Sequence, residues 1–153
     1  MDMVFGESFP EGGIAMEIRS YLGEVARLER ILENKREEIH RLQALAASLS
    51  APTAGDRVVS SGVKDRMGVV DRWVDLQGEL DGDVERLLAA RQERVRFLEQ
   101  LENPGEYDIL HQKYIQHKTL EQIAESADRS YTWATGLHRK ALRSAQELLD
   151  RNG

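Results

Sequence analysis

No cysteine occurs in the 153 residues, so disulfides and thiolate metal sites are excluded. Aromatic residues are scarce at 6%, while charged residues reach 31% and hydrophobic residues 41%. Charge above the globular norm with ordinary hydrophobic content suits long solvated helices better than a thick core. No apolar run approaches the roughly 18 residues of a membrane span. There is no Gly-rich phosphate loop and no Gly-x-Ser-x-Gly elbow. Residues 1–13 are acidic and Gly-rich, without a basic or apolar leader segment, so no signal peptide is read there. The expectation is a soluble intracellular protein: one modest domain, or a small domain with an extended element.

The formal net charge is −6, which argues against a nucleic-acid partner until it is divided along the chain. Residues 103–153 hold seven basic and seven acidic side chains, so the whole excess lies in residues 1–102. Within residues 129–146 there are four basic residues and no acid. Local charge governs phosphate attraction, because screening ends the field within about 8–10 Å at physiological salt.

Between residues 14 and 48 there is no proline and no glycine except Gly23. Ile18, Val25, Leu32, Ile39 and Ala46 recur every seven residues. Tyr21, Leu28, Leu42 and Leu49 form the companion set, broken once by Lys35. This is a heptad seam on a helix about 50 Å long. Pro52, Gly55 and Gly62 then mark a turn at about residues 50–64. A second periodic stretch over residues 65–101 carries Val70, Trp73, Leu80, Val84, Leu87, Leu98 and Leu101, interrupted by Gln77, Arg91 and Arg94. Val74, Leu88 and Val95 widen its apolar face. The fold class expected is all-α: an N-terminal antiparallel helical hairpin of coiled-coil type over residues 14–102, preceded by a disordered lead over 1–13. Trp73 is expected in the hairpin core. The hairpin is also expected to pair with a second copy or with the C-terminal module, since two helices alone bury little surface.

Glu102-Asn103-Pro104-Gly105 reads as the end of the second helix and a domain boundary. Three shorter helices are expected in residues 103–153. The first covers residues 107–117. The second starts at the capping box Thr119-x-x-Gln122, and the third follows Ser130 as N-cap. Ala124 supplies a small residue for a helix crossing. Asp128 stands four residues on, at a turn that needs left-handed backbone. Ala134 and Leu137 face inward. Together these describe a helix-turn-helix domain. The outer face of its last helix displays Tyr131, Thr132, Thr135, Gly136, Arg139, Lys140 and Arg143, beside Arg129 and Ser130. Hydrogen-bonding and basic residues of this kind suit base edges and phosphates, so double-stranded DNA is the expected partner.

The segment YIQHKTLEQIAESADRSYTWATGLHRKAL, residues 114–142, resembles region four of sigma factors. Residues 21–142 more broadly resemble a group of phage proteins related to the ArpU-type late transcriptional regulators. DRVVSSGVKDRM from Asp56 and YDILHQKYI from Tyr107 carry part of that likeness. The resemblance implies a phage or prophage regulator, of packaging or lysis genes, in a bacterial cytoplasm; the hairpin is read as an oligomerisation arm or as an arm that contacts RNA polymerase. Asp128 stands where sigma proteins usually have Gly, and Tyr131 and Thr132 where they have Arg and Glu, so no sequence specificity carries over. Two other readings are a terminase small subunit, whose DNA module is usually N-terminal rather than C-terminal, and a polymerase- or sigma-docking protein that does not read DNA.

No catalytic residues, metal site or cofactor are expected. His111 and His117 are six apart, and His40 and His138 lie in other elements, so none shows the i, i+4 pairing of helical zinc ligands. His138 is read as a phosphate or solvent contact. The carboxylates are spaced as helix surface charge, not as a buried acid pair. Trp133 either packs on the hairpin or lies over the DNA backbone. Gly136 in a helix interior, costing about 1 kcal/mol, reflects either close approach to DNA or another helix, or simple tolerance.

Overall fold

The computed structural model describes residues 16–50 and 59–153. The lead expected over residues 1–13 and the centre of the expected interhelical turn lie outside them. The described residues form five α-helices and one π-helical turn: α1 (Ile18–Ser50), α2 (Val59–Leu98), α3 (Pro104–Leu110), the π turn (His111–Ile115), α4 (Leu120–Ser126) and α5 (Tyr131–Asn152). No strand occurs among them. The chain divides into two units, Met1–Ala26 with Ala90–Gly153, and Arg27–Ala89.

In the unit of residues 27–89, α1 and α2 pack as antiparallel partners around Leu32, Ile39, Leu76 and Leu80, with Leu42, Trp73, Val84 and Leu87 against this core. Trp73 thus takes the core position expected of it. The seam also holds an acid, contrary to the expectation that the carboxylates are all helix surface charge. Asp83 is only 4% exposed. Its spacing from Leu76, Leu80 and Leu87 puts it on the inner face, and Lys35, the residue that breaks the seam of α1, meets it at 2.6 Å. Glu79 lies 3.4 Å from the same ammonium, and Arg86 pairs with the second Asp83 oxygen. These hydrogen bonds hold the Asp83 carboxyl below its ordinary range and push the Lys35 ammonium up. The break that Lys35 makes in the seam of α1 is therefore one half of an ion pair. By contrast, Val74 and Leu88 are 59% and 60% exposed.

Helix α2 begins at Val59 rather than Asp65. It absorbs the Ser60-Ser61-Gly62 run, at the modest cost of a helical glycine.

In the other unit, the first turns of α1 are covered from two sides. Tyr21 packs edge-on to Phe97 with centroids 5.1 Å apart. Arg94 donates to the Tyr21 carbonyl at 2.9 Å and lies 4.1 Å over its ring. On α5, Gln146 accepts from the Ile18 N–H at 2.9 Å and donates to the Met16 carbonyl at 3.0 Å. Ile18, Leu22 and Val25 are accordingly all buried. Arg91 donates to the Ile115 carbonyl at 3.1 Å, supporting the π turn. The arginines that interrupt the seam of α2 thus anchor neighbouring backbone.

The Glu102–Gly105 segment starts a helix rather than only ending one. Asn103 Oδ1 accepts from the N–H groups of Gly105 and Glu106, at 2.8 and 3.1 Å, and Pro104 takes the first helical position, where its missing N–H costs nothing. Instead of one helix over residues 107–117, the chain forms α3, then the π turn, and reverses at His117 with φ 61°.

Candidate nucleic-acid interface

The candidate interface is built from α4, a short turn and α5. Thr119 Oγ1 accepts from the Gln122 N–H at 3.1 Å, and the Gln122 side chain accepts from the Thr119 N–H at 2.9 Å. This reciprocal pair fixes where α4 begins. Ile123 and Ala124 on its inner face are buried. Past Ser126 the chain closes in a Schellman arrangement. The Arg129 N–H donates to the Ala124 carbonyl at 2.9 Å and the Asp128 N–H to that of Glu125 at 3.1 Å. Asp128 has φ 57°, the left-handed backbone read for it from sequence. Ser130, in extended backbone, then accepts from the Trp133 N–H at 3.0 Å and starts α5.

Ala134, His138, Ala141, Leu142, Ala145 and Leu148 form the buried stripe of α5. Thr132, Gly136, Arg139, Lys140 and Arg143 share the opposite side at spacings of three and four residues. Arg129, Ser130, Tyr131, Thr132, Arg139, Lys140 and Arg143 are exposed. Thr135 and Gly136 are half-buried, and the Thr135 hydroxyl donates to the Thr132 carbonyl at 3.0 Å, so its acceptor side is what it offers. All nine candidate residues thus fall on one turn and one helix. Among the described residues, none of Arg129, Arg139, Lys140 and Arg143 is ion-paired to a carboxylate. The Arg129 guanidinium lies 5.3 Å from the centroid of the half-buried Trp133, which holds it beside the start of α5. A Cβ on Gly136 would meet nothing within 4 Å, so no other helix of the chain requires that glycine.

His138 is not the phosphate or solvent contact expected of it. It is 8% exposed, its Nε2 is 2.9 Å from the Tyr114 hydroxyl, and the two rings stack at 5.8 Å. Its spacing from Ala134 and Ala141 puts it on the inner stripe. Burial, reinforced by Lys113, Arg19 and Arg139, lowers its pKa to about 4. The imidazole is neutral near pH 7, and Lys113, Arg19 and Arg139 are the cations near it. Lys113 and Arg19 lie far from residues 129–143 in sequence, so only the fold reveals them.

Among the described residues, no group of three or more His, Cys, Asp or Glu side chains is arranged to hold a metal ion. No helix there is long and apolar enough to cross a membrane. No protein-family model, curated protein or solved structure matches the chain.

Proposed function

We propose that α4, the Asp128 turn and α5 act as a helix-turn-helix that reads double-stranded DNA, and that the protein regulates transcription. The resemblance to ArpU-type regulators supports a phage or prophage setting. The observation that carries the proposal is the acid-free exposed face of α5 over residues 131–146, with its unpaired arginines, mounted on a left-handed turn between two capped helices. The turn sets the crossing of α4 and α5. The Ser130 cap brings Tyr131, Thr132 and Thr135 to the leading end of α5, where such helices meet base edges. Arg139, Lys140 and Arg143 follow, where a helix leaves the groove and phosphates come within reach.

Fluorescence anisotropy across a salt titration tests this, using duplexes from the gene's own genomic neighbourhood and random duplexes. Three or four phosphate contacts give a log–log salt slope of about −3 to −4 per module. Arg143→Ala weakens both DNAs alike and reduces the slope by about one. Thr132→Ala lowers discrimination between them by about 1–3 kcal/mol while leaving random DNA little affected. A slope near zero, or binding that neither variant alters, leaves α5 with only a solvated basic face and shifts the function to protein docking.

A further inference from the structure

A second candidate site lies toward the far end of α5, beyond Arg139, Lys140 and Arg143 and beside Arg151. A cavity of about 340 Å³ opens there, lined by Glu102, Glu106 and Glu147, by Leu101 and Leu148, and by Arg151. Glu106 is its most constrained member. It is 7% exposed and stands three residues after the N-cap of α3, where a glutamate commonly folds back onto the cap's N–H. Here it does not. Among the described residues its carboxylate has no hydrogen-bond or ion-pair partner, and Arg151 pairs with none of the three carboxylates. A buried carboxylate without a partner is costly, and either a proton or a cation relieves that cost. No group of three or more His, Cys, Asp or Glu side chains among the described residues is arranged for a metal ion, so the cation to consider here is an organic one.

We propose that this cavity is a docking pocket for an arginine side chain of a protein partner. A guanidinium is planar and weakly hydrated, and its five N–H donors can serve more than one carboxylate at once. Its aliphatic stem would lie along Leu101 and Leu148. A compact ammonium keeps its hydration more strongly and suits a cavity with two leucines less well. Glu102 and Glu147 are exposed at the rim, so the cavity opens onto the surface. Small-molecule sites enclose most of their ligand. An open acidic cavity instead suits one side chain reaching in from a surface laid against it.

The test is an NMR titration of the full ¹⁵N-labelled chain with N-acetyl-L-arginine N-methylamide, the matching citrulline compound and free L-arginine. It contains no DNA, so its outcome is independent of the DNA-binding proposal. The capped arginine shifts signals within residues 100–106 and 144–151, saturating at roughly millimolar concentration. Citrulline, with the same shape and no charge, does not. Glu106→Gln weakens binding at least about tenfold, while Glu121→Gln on α4 leaves it unchanged. Glu147→Gln, at an exposed position, also weakens it and keeps the test decisive where Glu106→Gln fails to fold. The proposal is overturned by absence of binding, by equal binding of citrulline, or by Glu106→Gln and Glu147→Gln variants that bind like the parent. Free L-arginine binding at least about tenfold more tightly than the capped form also overturns it, because the pocket would then read a whole amino acid.

Discussion

Two single residues on α5 separate stability from function. His138 is neutral in the folded chain, with a pKa of about 4, whereas a free imidazole titrates near about 6.5. The unfolded chain therefore binds a proton that the folded chain refuses as pH falls below about 6.5. The stability His138 contributes is complete above that pH and is lost progressively down to about pH 4. Urea unfolding at about pH 7.5 and pH 5 should differ by roughly 2 kcal/mol from this group. His138→Gln, which can keep a hydrogen bond to Tyr114, should remove most of that difference; an unchanged pH dependence would place its origin elsewhere. Gly136 behaves differently. A methyl there meets open space, so Gly136→Ala should stabilise the helix by about 0.5–1 kcal/mol. If α5 lies against DNA at this point, the same methyl should weaken DNA binding by about 1 kcal/mol or more. Higher stability with unchanged affinity would make Gly136 merely tolerated in solvent.

At the scale of elements, the Lys35–Asp83 pair decides how α1 and α2 tolerate change. Asp83 is buried while the Lys35 side chain is 26% exposed and Arg86 remains as a second partner, so Lys35→Ala should cost only about 1–3 kcal/mol. Lys35→Met with Asp83→Leu should be neutral or stabilising, because both desolvation penalties vanish together. Denaturant titration of both variants checks this, and a double variant no more stable than Lys35→Ala would show that the pair itself is needed. The sequence revealed much of these elements. Ile18, Val25, Leu32, Ile39 and Ala46 are all buried, as a heptad stripe facing one partner requires. Leu22 was not legible, because a strict heptad isolates one stripe whereas the first turns of α1 are covered from two sides. The caps Thr119 and Ser130 and the left-handed Asp128 were legible because capping and turn chemistry are local. The burial of His138 was not, since its partner Tyr114 lies in another element. The start of α3 at Pro104 is not legible, because a proline after a helix is also a good first residue of the next.

At the scale of the whole molecule, the open question is whether one copy is enough. Val74 and Leu88 lie two heptads apart on α2 and are more than half exposed, as are Val63 and Met67 on the same face. From Val63 to Leu88 that stripe is about 37 Å long, enough for a helix pair to approach the roughly 800 Å² per partner of a stable interface. We expect a second copy of this chain to cover it. Asp81 and Glu85 fall on the same face and are exposed, so self-association would bring like charges together. Screening should relieve that repulsion. Added salt should therefore strengthen the dimer while weakening DNA binding, and this opposite response separates the two associations within one protein. Sedimentation equilibrium at micromolar concentration should show a dimer or larger, tighter at about 0.5 M than at about 0.1 M salt. Val74→Lys with Leu88→Lys should give a monomer with nearly unchanged thermal stability, because neither side chain belongs to the core of a single chain. A dimer further predicts a two-fold symmetric DNA site and a salt slope about twice that of one module. A parent protein that stays monomeric at high concentration and high salt would leave the stripe without a self-partner, and each module would then bind an asymmetric site alone.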